Sequence, residues 1–351
     1  MVSLSVVVPT YNEKENLPTF VDGVFAALKG ESFELLIVDD ASPDGTGELA
    51  DTMAAERPQL KVLHRPGKLG RGTGFSDGLK ATEGEFVAIM DADMQHPPAL
   101  LPVLLAVARA GTDLAIASRY VEGGGTEDRT RSRGGVSKAA LWLSHLFVPQ
   151  TRHVRDTQSG FFLLRRKCLD NADLNVKGFT VLVEVLAKGH FEHVVELPYT
   201  FGVRAGGDSK LGFGEIFAYA KQLLRLSDYR LVKFVAVGAS GVLVNNGLLV
   251  LLVSNVGLLP QAASLGAIEG SILTNFLLNN LWTFKHRKGE AFHIKLAKYH
   301  GSVALGAAIN FVTFALLHAA GIHLLVANTV GILLGFTFNY LLSEKFVWKI
   351  P

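Results

Sequence analysis

Apolar residues fall along the chain in two regimes. Up to about residue 210 they come as short continuous runs at 4–8, 34–38, 61–64, 86–90 and 114–118. Uninterrupted runs predict strands covered on both faces, the signature of a parallel sheet. Segments with helical spacing separate them at 16–29, 45–56, 73–81 and 98–111. The alternation predicts an α/β domain with a doubly wound, mostly parallel sheet, whose ligands bind beyond the carboxyl ends of the strands. In the last third the runs lengthen: 234–254, 262–282, 301–319 and 323–342 are each long and apolar enough to cross a bilayer. The expected architecture is a soluble domain (1–212), an amphipathic segment at an interface (213–230) and an all-α domain of four spans (231–351).

Charge follows the same division. Residues 1–230 hold 26 of the 34 Lys and Arg and 29 of the 32 Asp and Glu; residues 231–351 hold 8 and 3. The net charge of +2 gives no reason to expect nucleic acid as a partner. One cysteine, Cys168, excludes an internal disulfide and suits a reducing compartment. Met1 to Pro9 reads as a buried strand rather than a secretory signal, having no basic n-region and too short an apolar run. The soluble domain is therefore expected in the cytosol.

The loops after the strands carry the chemistry. They hold Pro9-Thr10-Tyr11-Asn12-Glu13, Asp39-Asp40-Ala41-Ser42-Pro43-Asp44-Gly45-Thr46, Asp91-Ala92-Asp93-Met94-Gln95-His96-Pro97-Pro98 and Ser118-Arg119-Tyr120. Ser42 and Asp44 serve equally well as helix caps. Asp91, Asp93 and Gln95 do not, because Pro97-Pro98 postpones the next helix. Two carboxylates and an amide on an open loop make a site for a hard divalent cation. Gly70-Arg71-Gly72-Thr73-Gly74 is not a dinucleotide fingerprint, since it follows the third strand and not the first. It reads as a turn, a close backbone approach or a local phosphate contact.

In order along residues 5–212 these pieces, with Ser159-Gly160-Phe161-Phe162 and Arg204-x-x-Gly207-Asp208-Ser209-Lys210-Leu211, resemble glycosyltransferase family 2 and its dolichol-phosphate mannose synthase branch. The resemblance implies a glycosyltransferase A-type fold and inverting transfer of mannose from GDP-mannose to dolichyl or polyprenyl phosphate. It implies Mg2+ or Mn2+ on Asp91, Asp93 and Gln95. Pro9, Tyr11, Glu13, Val38 and Asp40 would hold the nucleoside, with Ala92 beside the donor. Arg119, Arg131 or Arg133, Arg204 and Lys210 would face the diphosphate and the acceptor phosphate. His96 after Gln95 points to mannose; the alternative donors are UDP-glucose and UDP-N-acetylglucosamine.

A phosphate acceptor is already ionised at neutral pH and needs no general base. The base motif and the Gln-x-x-Arg-Trp motif of polysaccharide-building relatives are accordingly not reproduced: Thr126-Glu127-Asp128 lies too early, and Leu226 follows Arg225. Arg71 and Gly74 stand where the family usually has leucine and alanine, and Asp208 where it usually has glutamate.

Residues 137–148 and 213–226 have apolar faces that suit either core helices or helices lying on a bilayer. In the last third, Asn275 to Lys285 repeats as Asn339 to Lys349, and Lys233-Phe234, Gly241 and Asn245 repeat as Lys298-Tyr299, Gly306 and Asn310. Two hairpins of the same orientation are expected. They resemble small four-helix membrane proteins associated with bacterial polysaccharide glucosylation. Lys285, Arg287, Lys288, Lys295 and Lys298 place the middle loop and both chain ends in the cytosol. Glu269 within a span is a helix-to-helix hydrogen-bonding group or part of a translocation path. Two other readings compete with catalysis: a lipid-linked sugar transporter, and a structural membrane protein with a degenerate transferase domain.

Overall fold

Leu4–Thr10 (β1) is buried along nearly its whole length, with neighbours on both edges and helices on both faces. The computed structural model describes residues 2–127, 131–170, 172, 174, 176, 180–202, 213–287 and 290–349, without the side chains of 131–136 and 213. The chain divides into two units, Met1–Ser227 and Asp228–Pro351.

In the first unit the strands after β1 are Phe33–Asp39 (β2), Leu60–His64 (β3), Phe86–Ile89 (β4), Leu114–Ser118 (β5), Gly125–Thr126 (β6), Phe162–Arg165 (β7), Val194–Pro198 (β8) and Thr200–Phe201 (β9). Among the described residues they form one sheet of order β3-β2-β1-β4-β7-β5-β8 and a small β6-β9 pair. The large sheet is parallel except at β7, which runs antiparallel between β4 and β5. It is therefore mixed and mostly parallel.

The helices are Leu17–Ala27 (α1), Thr46–Glu56 (α2), Arg71–Lys80 (α3), Leu101–Arg109 (α4), Arg131–Phe147 (α5), Val181–Lys188 (α6) and Phe213–Leu226 (α7). One face of the sheet packs Val6, Val8, Leu35 and Ile37 against α1 and α4 through Phe20, Val24, Leu101 and Leu105. The other packs Val7, Leu36 and Val87 against Phe75 of α3 and Val181 and Leu182 of α6. Each such aliphatic side chain withdrawn from water contributes about 1.5–3 kcal/mol. The glycine-rich stretch is the start of α3. A Cβ on Gly74 would meet Pro9 Cβ at 3.1 Å, so these glycines let the helix lie close on β1.

The α7 helix packs Tyr219 and Leu223 against Val148 and Val183. Gln222 bonds both main-chain groups of Thr180, and Arg225 pairs with the fully buried Glu184. The opposite face leaves Ile216 and Phe217 exposed, as Trp142 is on α5.

The second unit contains Arg230–Ser254 (α8), Pro260–Leu278 (α9), Phe292–Ala319 (α10) and Leu324–Leu342 (α11). By length and composition, three helices among the described residues can cross a membrane: Arg230–Ser254, Phe292–Ala319 and Leu324–Val347. The expected fourth span forms α9, but Gln261, Ser264, Glu269, Ser271 and Asn275 dilute its apolar character. Glu269 Oε1 accepts a hydrogen bond from His300 Nε2 of α10 at 3.0 Å.

The internal repeat is a structural symmetry. Both α9 and α11 end in a five-residue π turn, at Asn279–Thr283 and Ser343–Val347. Corresponding aromatics pair reciprocally: Phe276 with Tyr299 at 5.7 Å, and Tyr340 with Phe234 at 5.4 Å. Phe284 and its counterpart Trp348 stack on each other at 4.5 Å. Small residues bring the backbones together, as is usual between membrane helices. A Cβ on Gly306 would lie 2.9 Å from Gly335 O.

Candidate active site

β1, β2 and β4 are neighbours in the sheet, so the three acidic loops emerge side by side at one edge. The first two are latched by main-chain donors from one to side chains of the other. Asn12 N–H donates to Ser42 Oγ (3.0 Å), Glu13 N–H to Thr46 Oγ1 (3.0 Å) and Lys14 N–H to Asp44 Oδ2 (3.1 Å). Ser42 and Asp44 therefore hold the loops to each other. Asn12, Ala41 and Met94 adopt left-handed φ of 61°, 52° and 63°, one in each loop. Non-glycine residues held there store backbone strain, which functional sites commonly carry.

Tyr11 and Glu13 sit on the first of these loops, where Lys68 Nζ lies 3.8 Å from the Tyr11 ring centre. Pro9, next to last in β1, pairs with Val38, whose side chain is wholly buried and whose main chain lies between β1 and β3. Asp40 is buried and already engaged: Arg65 Nη1 donates to Oδ1 at 2.5 Å and Gly70 N–H to Oδ2 at 2.7 Å. Arg65 is itself fixed by Thr73 Oγ1 and Gly70 O. Asp40 thus anchors the entry to α3.

In the third loop, Asp93 is 8% exposed and its Oδ1 accepts Gln95 N–H at 3.2 Å. Gln95 Nε2 donates to Gly202 O at 2.9 Å, and Gly202 N–H returns a bond to Gln95 O at 3.2 Å. Ala92 is buried beneath them. Asp91 Oδ1 lies 3.0 Å from Arg71 Nε. On its other side Asp91 N–H donates to His96 Nδ1 at 3.0 Å, so that nitrogen carries no proton. Burial, then the nearby Arg71 and Arg119 charges, push the His96 pKa down to about 3. The 3.6 Å approach of His96 to Asp91 is therefore contact with a neutral imidazole and not an ion pair. The ring is wedged among Phe161, Tyr199 and Phe201.

Arg119 closes the site. Its Nε and Nη2 donate to the two oxygens of the fully buried Asp156 at 2.8 and 2.7 Å, and its own N–H adds a third bond at 3.0 Å. Burial alone would lower the Arg119 pKa; the Asp156 partner more than offsets this and holds it above its ordinary value. Tyr199 places a buried hydroxyl, with no hydrogen-bond partner among the described residues, in the field of Arg119, Asp156, Asp91 and Arg71. Arg65, Asp156 and Tyr199 were not singled out in the sequence. The only signal was that Asp156 stands just before Gln158-Ser159-Gly160.

Arg204 and Lys210 lie outside the described residues, as does the side chain of Arg133; Gly202, two residues before Arg204, is the pair partner of Gln95. Thr126 and Glu127 pair with β9. Among the described residues no three His, Cys, Asp or Glu side chains gather as a complete metal cage. Two carboxylates with an amide nearby fit an ion such as Mg2+, which commonly takes one or two protein carboxylates and completes its shell with substrate phosphates and water.

Residues 5–172 match the family described as Glycosyl transferase family 2, and residues 233–348 match GtrA/DPMS, transmembrane domain. The chain is 41% identical, over 99% of both chains, to a dolichol-phosphate mannosyltransferase of Pyrococcus furiosus. It is 39% identical to a polyprenol monophosphomannose synthase of Mycolicibacterium smegmatis, over 60% of this chain and 82% of that one. Among solved structures it is similar to glucosyl-3-phosphoglycerate synthase from Mycobacterium tuberculosis, with TM-score 0.48 and 22% identity over 64% of this chain and 79% of that one.

Proposed function

We propose that this chain, which belongs to glycosyl transferase family 2 and carries a GtrA/DPMS transmembrane domain, moves mannose from GDP-mannose to the phosphate of dolichyl or another polyprenyl phosphate. The observation that carries this reading is similarity along the whole chain, membrane unit included, to a dolichol-phosphate mannosyltransferase. The fold assigned to the first unit is the glycosyltransferase A type.

The acceptor phosphate supplies its own anionic oxygen, so no residue has to remove a proton. That oxygen attacks the sugar carbon from the face opposite the diphosphate, the bond from carbon to the GDP oxygen breaks, and the product is inverted. Asp91 and Asp93, with Gln95, hold Mg2+ or Mn2+, which when bound supplies positive charge to the departing diphosphate. Arg119, locked by Asp156, adds a fixed cation with little reorganisation. Arg133, Arg204 and Lys210 add further charge, and Pro9, Tyr11, Glu13, Val38 and Asp40 form or brace the nucleoside pocket.

The exposed Trp142, Ile216 and Phe217 on α5 and α7 suit helices lying at the bilayer surface, where they would meet the lipid phosphate. All four helices of the second unit are assigned as spans, α9 included because its repeat partner α11 is one. The Lys and Arg between α9 and α10 put that loop, both chain ends and the catalytic unit in the cytosol.

The test is a donor screen with purified protein in detergent, polyprenyl phosphate and Mg2+ or Mn2+. Labelled mannose passes from GDP-mannose to lipid, and UDP-glucose and UDP-N-acetylglucosamine give none. Transfer from a UDP-sugar alone overturns the donor.

A further inference from the structure

Three described arginines surround the acidic edge, and they are held differently. Arg65 is 4% exposed and bonded to Asp40, Thr73 and Gly70. Arg119 is 16% exposed and clamped on both oxygens of Asp156. Neither can leave its partner without stranding a buried carboxylate. Arg71 is 35% exposed, and its hold is looser. Its Nη2 donates to Gly160 O at 3.1 Å, while Nε lies 3.0 Å from Asp91 Oδ1 without hydrogen-bond alignment. The contact with Asp91 is thus electrostatic, and a stronger cation can replace it. Gly160 leaves the room for it: a Cβ there would overlap the Arg71 guanidinium.

We propose that Arg71 is the exchangeable counter-ion of Asp91, which occupies the carboxylate until metal and nucleotide arrive together and then turns its donors to the nucleotide diphosphate. Asp91 belongs to the proposed metal set, so Arg71 and a divalent ion compete for one carboxylate. Metal alone must displace a cation and binds weakly. With a diphosphate present the displaced guanidinium gains a new anionic partner, which a planar, five-donor group suits. Metal and nucleotide therefore tighten each other's binding, and such coupling is reciprocal. The inference rests on the proposed metal site, and it assigns to Arg71 a role that the leucine usual at this position cannot fill.

The experiment is Mn2+ binding by the full chain in detergent, read from the electron paramagnetic resonance signal of free Mn2+, with and without saturating GDP, and again with UDP. GDP is expected to tighten Mn2+ binding to the unaltered protein by about tenfold or more. In Arg71→Leu, Mn2+ without nucleotide binds tighter and the nucleotide effect shrinks to the part that direct ligation of the ion by the diphosphate supplies. Arg71→Lys keeps the competing charge without the fork and falls between them. Coupling seen with UDP instead of GDP supports the exchange while moving the donor. Unchanged coupling in Arg71→Leu, with normal Mn2+ binding, overturns the inference alone. Absence of Mn2+ binding by the unaltered protein under all conditions overturns the metal site and the inference with it.

Discussion

Arg119 meets Asp156 along both carboxylate oxygens, at 2.7 and 2.8 Å, and Asp156 has no exposed surface. The pair ties the end of β5 to the segment entering β7 and aims a permanent cation at the acidic edge. Removing one partner of a buried pair leaves the other charged and unsatisfied, at about 3–5 kcal/mol. Asp156→Ala is expected to lose that much stability and nearly all transfer. Equilibrium unfolding in detergent beside a transfer assay checks both. A variant as stable as the unaltered protein would mean that Arg119 finds another partner.

His96 makes stability depend on pH. Its folded pKa of about 3 is below the unfolded value of 6.5, so the unfolded chain binds the extra proton first. Stability is complete above about pH 6.5 and is lost as pH falls toward about 3, at about 1.4 kcal/mol per pH unit within that window. His96→Gln keeps an acceptor for Asp91 N–H but cannot titrate. The difference in unfolding free energy between the two proteins should be constant above pH 6.5 and shift steadily against the unaltered protein as pH falls from 6.5 toward 3. A difference that stays constant across that fall would show that His96 is not held neutral.

The positions of β1 to β5 were legible because burial leaves runs such as Val6-Val7-Val8 with no polar interruption. The antiparallel β7 and the half-buried β8 were not predicted. Nor was α6, whose Val181-Leu182-Val183-Glu184-Val185-Leu186 is buried all round and shows no helical stripe. In the site, the acidic loops were legible because each is contiguous. Its ion pairs were not: Arg119 and Asp156 are 37 positions apart and Arg65 and Asp40 are 25 apart, and no periodicity marks such partners. Matching letters revealed the membrane repeat, but not that Phe276 and Tyr340 would reach across to each other's hairpin partners.

The α10–α11 hairpin depends on backbone contact at Gly306 and Gly335. Gly335→Leu drives a side chain into main-chain atoms that cannot yield, so it should abolish monodisperse protein in detergent. Gly247→Ala, where an added Cβ meets nothing within 4 Å, should be neutral. Size-exclusion chromatography and thermal denaturation compare them. A well-behaved Gly335→Leu protein would refute the close packing.

Trp142 and Phe217 are 61% and 73% exposed on the helices assigned to the bilayer surface. The paired change Trp142→Glu with Phe217→Glu should raise KM for long-chain polyprenyl phosphate in liposomes by about tenfold or more, from lost apolar burial and repulsion by anionic lipid. It should leave a water-soluble short-chain acceptor unaffected. An equal effect on both acceptors would place these residues in the catalytic unit's own integrity instead.

The central claim is catalysis at the Asp91-Ala92-Asp93 loop, and one comparison tests it most directly. Mannosyl transfer from GDP-mannose to polyprenyl phosphate is measured for the unaltered protein and for Asp93→Ala, in detergent with saturating Mg2+ or Mn2+. Steady transfer by the first, abolished by chelation, and a loss of at least about a thousandfold in the second is the predicted result. Transfer by Asp93→Ala at an undiminished rate would contradict it.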